Sequence, residues 1–566
     1  MLRRIPLLTF ALVAFIGTAE LAAQVPIVWA DEGPLTWTPR PTESAIAAND
    51  LRTHLYQIAD DSMKGRDAIS LENTMTTDYV AAVFERLGLQ PAGDDGYFQE
   101  LEYGPIAFDR AASALRIDDR GLTTGTDWVP SGADSRSAVS GSFQGEDVET
   151  VFGGLFGDKS PLPATVRGKA VVLLAGPGAG MPQRRSIYRT DTRAQDAGAA
   201  LVMIATEELS AALVTSTFDG RTSMMGPDDA STAGAVLSLS AAASLFDAPL
   251  QSVQVGAPGK TVSGAWSEEY RRPEYPTRNV IAILPGSDPA LRDEYVLVGA
   301  HNDHVGMVNN GPVDHDSLRA FNRIMRPQGA NDRPGPPTAE QQAQIDALLT
   351  RARSIRPPMM DSVMNGADDN GSGTSVLLEI AEYFATNPAP RRSLIFISQA
   401  GEEKGLLGSS WFVDHPTVPL ENIVAAHNMD MLGKGRVTDV KFGGPSSIQM
   451  LGARRLSTEF GDVIDSLNAV RDEPMAIDYS WDRTNHLNRF CRSDQVNYFR
   501  KAIPVTYFSL GYAVDYHQAT DEPRYIDYEH GAKVGRFVAD IMRAVADRDS
   551  RVAVLPLEER DMSVQC

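Results

Sequence analysis

Residues 295–303 read YVLVGAHND and residues 393–403 read SLIFISQAGEE, and these two segments decide the fold. Each is an apolar run of strand length that ends in small residues and then in histidine or carboxylates. Between them, residues 365–373 read NGADDNGSG and open a run with helical spacing. Strand, helix and strand in this order predict parallel strands. The polar groups then stand at the carboxyl ends of strands, where open α/β sheets place their ligand sites.

The same alternation continues on both sides of these segments and predicts the fold class. We expect an α/β fold whose mixed, mostly parallel central sheet has helices on both faces. The predicted strands are 279–284, 295–300, 393–399, 423–430 and 504–510, and the predicted helices are 372–387, 405–414, 494–502 and 532–548. Residues 44–58 and 73–87 have helical spacing as well and predict two earlier helices.

Five motifs carry groups that bind metals or transfer protons. They are GAHND at 299–303, GADDN at 366–370, EEKGLLGS at 402–409, MDM at 429–431 and YH at 516–517. A site for two metal ions needs a shared carboxylate, and each ion also takes a histidine and a further carboxylate. A free carboxylate must then accept a proton from the attacking water. Asp430 is the strongest single case, because a charge in an apolar strand is costly unless it is paired or binds a metal.

In this order the five motifs resemble those of the co-catalytic di-zinc aminopeptidase family. The resemblance spans about residues 279–548. It implies a zinc exopeptidase-like fold, two Zn²⁺ ions as cofactors and peptides as substrates. The activity implied is that of an aminopeptidase, a metal-dependent hydrolase that releases N-terminal residues.

The resemblance also implies a role for each motif residue. His301 and Asp430 are expected to bind one zinc, Glu403 and His517 to bind the other, and Asp368 to bridge the two ions. A cis peptide bond is expected between Asp368 and the next residue.

Further residues complete the expected site. Glu402 is the expected general base, and Asp303 is expected to orient the nearby metal-binding histidine. Asp369 and Asp521 are further candidates beside the metals or the substrate, the first also as a helix cap and the second near His517. His304 is interpreted as a group that supports the ligands from outside.

One position departs from the family pattern. Its aminopeptidases often use a tyrosine shortly before the Ser493-Asp494 pair to stabilise the oxyanion, and Phe490 stands there in this chain. Tyr512 and Tyr516 are the alternatives for this donor.

Three alternative functions are considered. One stays open, and the complete set of metal ligands argues against the other two. A carboxypeptidase or dipeptidase of the same fold needs a cationic clamp for the terminal carboxylate, and Arg489, Arg492 or the cluster of Arg351, Arg353 and Arg356 offers one. A non-catalytic, receptor-like relative would have lost metal ligands, and none of the five is replaced here. Glutaminyl cyclases share the fold but bind one zinc, which the full ligand set argues against.

The sequence pattern changes at about residues 131–265, where short runs typical of β-strands alternate with glycines. The order of strand, helix, AGA at 197–199 and strand resembles the protease-associated domain, which implies no catalytic residue. The predicted organisation is a signal peptide at 1–23, an N-terminal arm and helices of the peptidase domain at 24–130, the insert at 131–265, the catalytic domain at 266–548 with an insertion or lid at 309–362, and a tail at 549–566.

The N-terminus and the charge predict where the protein acts and what it avoids. Two arginines precede an apolar run from Ile5 to Ile16, which is shorter than the roughly 20 residues of a membrane span. An uncleaved anchor is the alternative to an exported, periplasmic or secreted protein. A net charge of −22 argues against nucleic acid as a partner. After signal removal no membrane partner is expected, and the sequence sets no oligomeric state.

Overall fold

A computed structural model describes residues 26–131, 139–175, 191–224, 232–482 and 487–560. The predicted signal peptide, residues 1–23, lies outside the described residues, as do residues 561–566 of the predicted tail. No described helix is both long enough and apolar enough to cross a membrane.

The two predicted N-terminal helices are present as Ala48–Ile58 and Leu71–Arg86. The side chain of Ser70 accepts a hydrogen bond from the backbone N–H of Asn73 and so begins the second helix. Two short strands follow, β1 (Gln90–Pro91) and β2 (Phe98–Glu100). The apolar faces of both helices pack in the same core as the central sheet, so this segment is part of the catalytic domain.

A β-rich unit separates these helices from the rest of the domain. Its strands are β3 (Tyr103–Phe108), β4 (Ala114–Ile117), β5 (Arg120–Gly121), β6 (Trp128–Pro130), β7 (Val139–Ser140), β8 (Phe143–Val148), β9 (Thr150–Leu155), β10 (Ala170–Leu174), β11 (Leu201–Thr206), β12 (Arg221–Met224), β13 (Thr232–Ser238), β14 (Val262–Trp266) and β15 (Glu268–Tyr270). Its helices are Arg193–Asp196, Ala211–Phe218 and Leu239–Ser244. The unit has its own core, in which the rings of Trp128 and Trp266 lie 5.1 Å apart.

The β-rich unit begins earlier than the predicted residue 131. β4 pairs with β14, β3 pairs with β15, and β6 pairs with β13. Residues from Tyr103 onward therefore belong to this unit and not to the N-terminal part of the catalytic domain. The predicted helix at 193 is a single turn that leads to β11.

The catalytic domain is built on a nine-stranded sheet. It contains β1, β2 and seven later strands, and a separate two-stranded ribbon lies beside it. The remaining strands of the chain are β16 (Arg278–Leu284), β17 (Tyr295–His301), β18 (Val313–Asp314), β19 (Met360–Asp361), β20 (Ser393–Gln399), β21 (Ile423–Met429), β22 (Ser447–Leu451), β23 (Ala476–Asp478) and β24 (Val505–Ser509). The order is β1-β16-β20-β17-β21-β24-β22-β23, and β2 also pairs with β16.

The predicted fold class is confirmed, with parallel strands at the centre and an antiparallel pairing on either side of them. β20, β17, β21 and β24 run parallel to one another, while β16 and β22 join them antiparallel. Helices cover both faces, since Val296 and Val298 face one core and Leu297 faces the other. The helices of this domain are His315–Met325, Ala339–Ile355, Gly373–Thr386, Leu407–Asp414, Thr458–Val470, Gln495–Arg500 and Tyr528–Ala546.

The insertion at 309–362 is a helical hairpin whose ends are joined by the β18–β19 ribbon. The helix predicted from the Thr338 and Gln341 capping box is present, and both capping hydrogen bonds form. The N-terminal arm packs on this hairpin. Trp29 Nε1 donates to Asp316 Oδ1 at 2.9 Å, and Arg356 lies 2.6 Å from Glu32.

Candidate metal centre

The candidate site lies at the carboxyl ends of the parallel strands in the middle of the sheet. His301 is the last residue of β17, and Glu402 and Glu403 follow the end of β20. Asp430 directly follows β21, and His517 lies in the loop after β24. Neighbouring parallel strands end at the same edge, so groups that are far apart in sequence meet there.

A first group of metal-binding atoms comes from His301, Asp369 and Asp430. His301 Nε2 lies 3.3 Å from Asp369 Oδ1 and 3.5 Å from Asp430 Oδ1. All three residues are buried. His301 Nδ1 is 3.1 Å from the backbone oxygen of Asp303 and donates to it, which leaves Nε2 as the nitrogen with a free lone pair.

A second group comes from His304, Asp369, Glu403 and His517. His517 Nε2 lies 3.0 Å from Asp369 Oδ2 and 3.1 Å from Glu403 Oε1. His304 Nδ1 lies 3.0 Å from the same Glu403 oxygen. Asp369 therefore presents one carboxylate oxygen to each group and joins the two into a single centre.

The donor atoms are arranged to bind a metal ion and not to form hydrogen bonds with one another. One atom of each of five residues is buried and has no hydrogen-bond partner among the described residues: His301 Nε2, Asp369 Oδ2, Glu403 Oε1, Asp430 Oδ1 and His517 Nε2. Leaving such an atom unsatisfied costs about 1–3 kcal/mol, and a cation among them satisfies several at once. Imidazole nitrogens and carboxylate oxygens are ligands of zinc. The donor set therefore fits zinc.

The position between the two groups is held by Asp369, and the sequence-based assignment of Asp368 to it is wrong. Asp368 Oδ1 accepts the backbone N–H of Gly433 at 2.7 Å, so its carboxylate is turned towards the loop after β21. The cis peptide bond lies between Asp369 and Asn370, one residue later than predicted. Asn370, whose Oδ1 accepts the N–H of Gly373 at 2.9 Å, has the capping role predicted for Asp369.

The two adjacent aspartates also differ in their acidity. Burial and the neighbouring Asp521 raise the pKa of Asp368 well above its usual range. Burial acts on Asp369 too, but the nearby rings of His301 and His517 outweigh it and hold the pKa of Asp369 well below its usual range. Asp369 is therefore the stronger acid of the pair.

Glu402 lies beside the centre without belonging to either group. Its Oε2 is 4.0 Å from His301 Nε2, and its side chain is 11% exposed. Burial raises the pKa of Glu402 well above its usual range, and the carboxylates of Glu403 and Asp430 add to this. A carboxyl group that is close to the metal-binding atoms and not among them is suited to proton transfer.

Asp303 and Asp521 support the centre from behind. The two carboxylate oxygens of Asp303 accept the backbone N–H groups of Glu402 at 3.0 Å and Glu403 at 3.3 Å. Asp521 was expected near His517, and instead it accepts the backbone N–H groups of Asp368 and Asp369, each within 3.1 Å.

Aromatic residues form one side of the centre. The ring of Tyr516 stacks on that of His517 at 3.9 Å, and its hydroxyl accepts from Arg492 at 3.3 Å. Tyr512 packs edge-on against Tyr516. Phe490 is buried against Phe499 and offers no hydroxyl. Tyr512 and Tyr516 thus place phenols on this side of the centre, and their role at the oxyanion stays a prediction.

Two buried cations that sequence reasoning missed position the centre. Arg66 lies between the two N-terminal helices and donates to the backbone oxygens of Ile58, Asn302, Asn365 and Gly366. Its guanidinium thus connects the ends of two motifs. Lys434 lies 2.8 Å from Asp515 and 3.0 Å from Asp521. A basic residue in a loop gives no sequence signal of burial, so neither role was readable from the motifs.

Comparison with known proteins relates this domain to a family. Residues 342–542 match the family model for Peptidase family M28. These residues, about a third of the chain, are similar to that family. This match includes the second to fifth of the motifs and most of the central sheet, and the predicted family resemblance is confirmed.

Individual relatives are similar over short stretches. Aminopeptidase YwaD of Bacillus subtilis is 46% identical over 69 residues, which are 12% of this chain and 15% of that protein. A probable zinc metalloprotease of Pyrenophora tritici-repentis is 38% identical over 74 residues, 13% of this chain and 17% of that protein. These alignments therefore span less than a fifth of either relative. The structure of BSAP, a zinc aminopeptidase from Bacillus subtilis, superposes with a TM-score of 0.42 at 18% identity, covering 90% of this chain and 99% of that one.

Proposed function

We propose that this chain is a zinc-dependent aminopeptidase that releases N-terminal residues from peptides. The observation that carries the proposal is the shared Asp369 between two groups of unsatisfied donor atoms, with the unshared carboxylate of Glu402 beside them. One zinc ion would be held by His301, Asp369 and Asp430, and another by Asp369, Glu403 and His517.

The residues of the chain divide the work of hydrolysis between them. Bound zinc ions lower the pKa of a coordinated water and polarise the scissile carbonyl. Glu402 accepts the proton of the attacking water and returns it to the leaving amine. Asp303 holds the backbone of Glu402 in place, and Tyr512 or Tyr516 offers a hydroxyl to the oxyanion in place of the missing phenol at Phe490.

A carboxypeptidase or dipeptidase of the same fold is the second candidate, and Arg492 favours it. Two of the arginines considered for binding a terminal carboxylate are already engaged: Arg356 lies 2.6 Å from Glu32 and 2.7 Å from Asp316, and Arg353 lies 3.0 Å from Asp316. Arg492 instead donates to the hydroxyl of Tyr516, next to His517. A carboxylate of a bound peptide has a cation within reach there.

Hydrolysis of three matched peptides by the zinc-loaded protein distinguishes these activities. We expect cleavage of a free peptide and of its C-terminally amidated form, and no cleavage of the N-acetylated form. Cleavage of the acetylated peptide together with failure on the amidated one would instead establish the carboxypeptidase.

The variant Glu402→Gln tests the proposed proton transfer. We expect kcat to fall by about 10²–10⁴, while the zinc content measured by mass spectrometry stays at the wild-type value, because Glu402 belongs to neither group of ligands. Unchanged kcat would contradict the role of Glu402.

We also propose that the protein is exported, that peptides are its substrates and that the β-rich unit is a protease-associated-like domain. The charged and apolar pattern at 1–23 supports export, and N-terminal sequencing of the protein recovered outside the cytoplasm tests it. The unit from Tyr103 to Tyr270 contains none of the residues of the candidate centre. Its parallel strands β9, β10, β11 and β13 agree with the strand, helix and strand order on which the resemblance rests.

A further inference from the structure

His304 is a residue of the centre that the five motifs leave without a role. It follows the end of β17 by three residues, and its backbone N–H donates to the backbone oxygen of Arg66 at 3.3 Å. Its side chain is fully buried, and its ring stands perpendicular to that of His517 with 5.3 Å between the centroids.

The Nδ1 atom of His304 points into the second group of donors. It is 3.0 Å from Glu403 Oε1 and 3.9 Å from Asp369 Oδ2. Neither ring nitrogen of His304 has a hydrogen-bond partner among the described residues, and Glu403 Oε1 has none either. His304 Nδ1 and Glu403 Oε1 are close, but they do not have the alignment of a hydrogen-bond donor and acceptor. Both atoms instead point towards a common position between them.

That common position has the dimensions of a zinc site. Two ligands each about 2.0–2.1 Å from one zinc ion at a tetrahedral angle lie roughly 3.3 Å apart. The observed separations are 3.0 Å from His304 to Glu403, 3.1 Å from His517 to Glu403 and 3.0 Å from His517 to Asp369.

We propose that His304 Nδ1 is a fourth protein ligand of the zinc ion held by Asp369, Glu403 and His517. The inference rests on the proposed zinc centre and adds a ligand to it. It makes the two positions unequal, because the group of His301, Asp369 and Asp430 offers three ligand atoms among the described residues.

The inequality assigns different tasks to the two positions. Structural zinc sites are closed by four protein ligands, while catalytic sites keep one position open for water. The position with His304 would be closed and would bind its ion more tightly. The position with His301 would stay open, and it is also the one next to Glu402, whose Oε2 lies 4.0 Å from His301 Nε2. Glu402 therefore lies beside the position that would keep a place for water.

Zinc titration of a variant with a matched control tests the added ligand. Zinc content is measured by mass spectrometry after dialysis against chelator buffers of graded free zinc, for wild type, His304→Ala and His427→Ala. His427 is an equally buried histidine, bonded to the Thr506 hydroxyl and absent from both groups.

We expect wild type and His427→Ala to bind one ion more tightly than the other. In His304→Ala the tighter affinity falls by more than about 100-fold, which exceeds the 10–100-fold typical of a residue that only orients a ligand. Two ions bound by His304→Ala with wild-type affinities would overturn the proposal.

A crystal structure of the zinc-loaded wild type, with the ions located from anomalous scattering, tests the ligand without any variant. We expect His304 Nδ1 within about 2.3 Å of the ion shared with Glu403 and His517. Two ions bound in a protein that cleaves peptides, with His304 Nδ1 more than about 3 Å from both, would overturn the ligand assignment and leave the proposed function intact. A wild type that binds no zinc would overturn both.

Discussion

Asp368 and Asp369 are adjacent, identical and buried, and yet their carboxylates serve different purposes. Asp368 accepts the backbone N–H of Gly433, and burial together with the neighbouring Asp521 raises its pKa. Asp369 faces His301 on one side and His517 on the other. The bridge of the centre therefore depends on one carboxylate, while its neighbour organises the loop after β21.

A matched pair of variants separates the two aspartates. Asp369→Asn removes the charge that both groups share, and we expect kcat/KM and zinc content to fall, with kcat/KM lowered by more than about 100-fold. Asp368→Asn keeps an oxygen that accepts from Gly433 and changes no atom of either group of donors. For this variant we expect zinc content and kcat/KM near wild type. The opposite order of effects would restore Asp368 as the bridge.

At the level of residues the sequence indicated the right chemistry but not every position. His301, Glu403, Asp430 and His517 meet in the structure as their motifs indicated. One of two adjacent aspartates faces the centre, and the backbone path through the turn Ala367–Ser372 decides which one. The spacing of hydrophobic residues does not predict the path of such a turn. His304 was interpreted as a group that supports the ligands from outside. The direction of its ring also depends on the local backbone path, which the sequence does not show.

At the level of elements, hydrophobic spacing predicted the strands and helices that face a core. The last helix, expected at 532–548, is Tyr528–Ala546, and its apolar stripe is buried against the sheet. The helix His315–Met325 was missed, because its buried face carries polar and charged side chains, among them Asp316, Arg319 and Asn322, which hide the apolar spacing. β22 and β23 were also missed, and both are short strands, β23 at the edge of the sheet and β22 next to it.

The helix that follows the bridging aspartate is connected to the N-terminal helix by a buried pair. Glu379 Oε1 on Gly373–Thr386 lies 3.1 Å from His54 Nε2 on Ala48–Ile58. Burial raises the pKa of Glu379 to about 9 and lowers that of His54 to about 3. Both side chains are therefore uncharged at neutral pH in the folded protein.

This pair predicts how stability changes with pH. In the unfolded chain glutamate loses its proton near pH 4.3 and histidine near pH 6.5. From about pH 6.5 to 9 the folded protein keeps the Glu379 proton that the unfolded chain has lost. The contribution of Glu379, complete below about pH 4.3, is therefore lost as pH rises towards 9, by up to roughly 1.4 kcal/mol per pH unit.

Replacing the acid by its amide removes this dependence. We expect the melting temperature of wild type to fall more between pH 6.5 and 8.5 than that of Glu379→Gln. Glu340→Gln, at the exposed start of another helix, is the control and should follow wild type. Parallel curves for Glu379→Gln and wild type would show that Glu379 is ionised in the folded protein.

At the level of the whole molecule the chain divides into two units, and the β-rich unit, from Tyr103 to Tyr270, extends beyond the predicted 131–265 at both ends. β4 begins at Ala114, which pairs with Ala265, and this pairing spans about 150 residues of chain. The sequence around a short strand does not show which distant strand it pairs with, so it does not show to which unit the strand belongs. The later boundary is better predicted, because β16 resumes the long apolar runs of the central sheet.

The connections of the β-rich unit allow it to be removed without cutting the central sheet. The chain leaves the sheet after β2 and returns at β16, where Glu100 pairs with Arg278 and the N–H of Leu101 donates to the oxygen of Thr277 at 2.9 Å. The two ends are thus already neighbours across an antiparallel pair. A short turn between them replaces the whole unit in the geometry of a β-hairpin.

We therefore expect a variant with residues 103–275 replaced by a four-residue Gly/Ser linker to fold and to bind zinc as wild type does. None of the residues of the candidate centre is removed, and the main cores of the catalytic domain contain no residue of the excised segment. Hydrolysis of a small substrate such as an amino-acid anilide should stay within about tenfold of wild type, since the effect corresponds to at most roughly 1.4 kcal/mol. The same excision combined with Glu402→Gln is the control and should be inactive.

Because the excision exposes Ala68 and Leu407, which pack against Tyr103 and Met224, the melting temperature should fall even where activity is kept. Loss of zinc from a variant that keeps its helical circular dichroism would instead show that the β-rich unit holds the metal centre together.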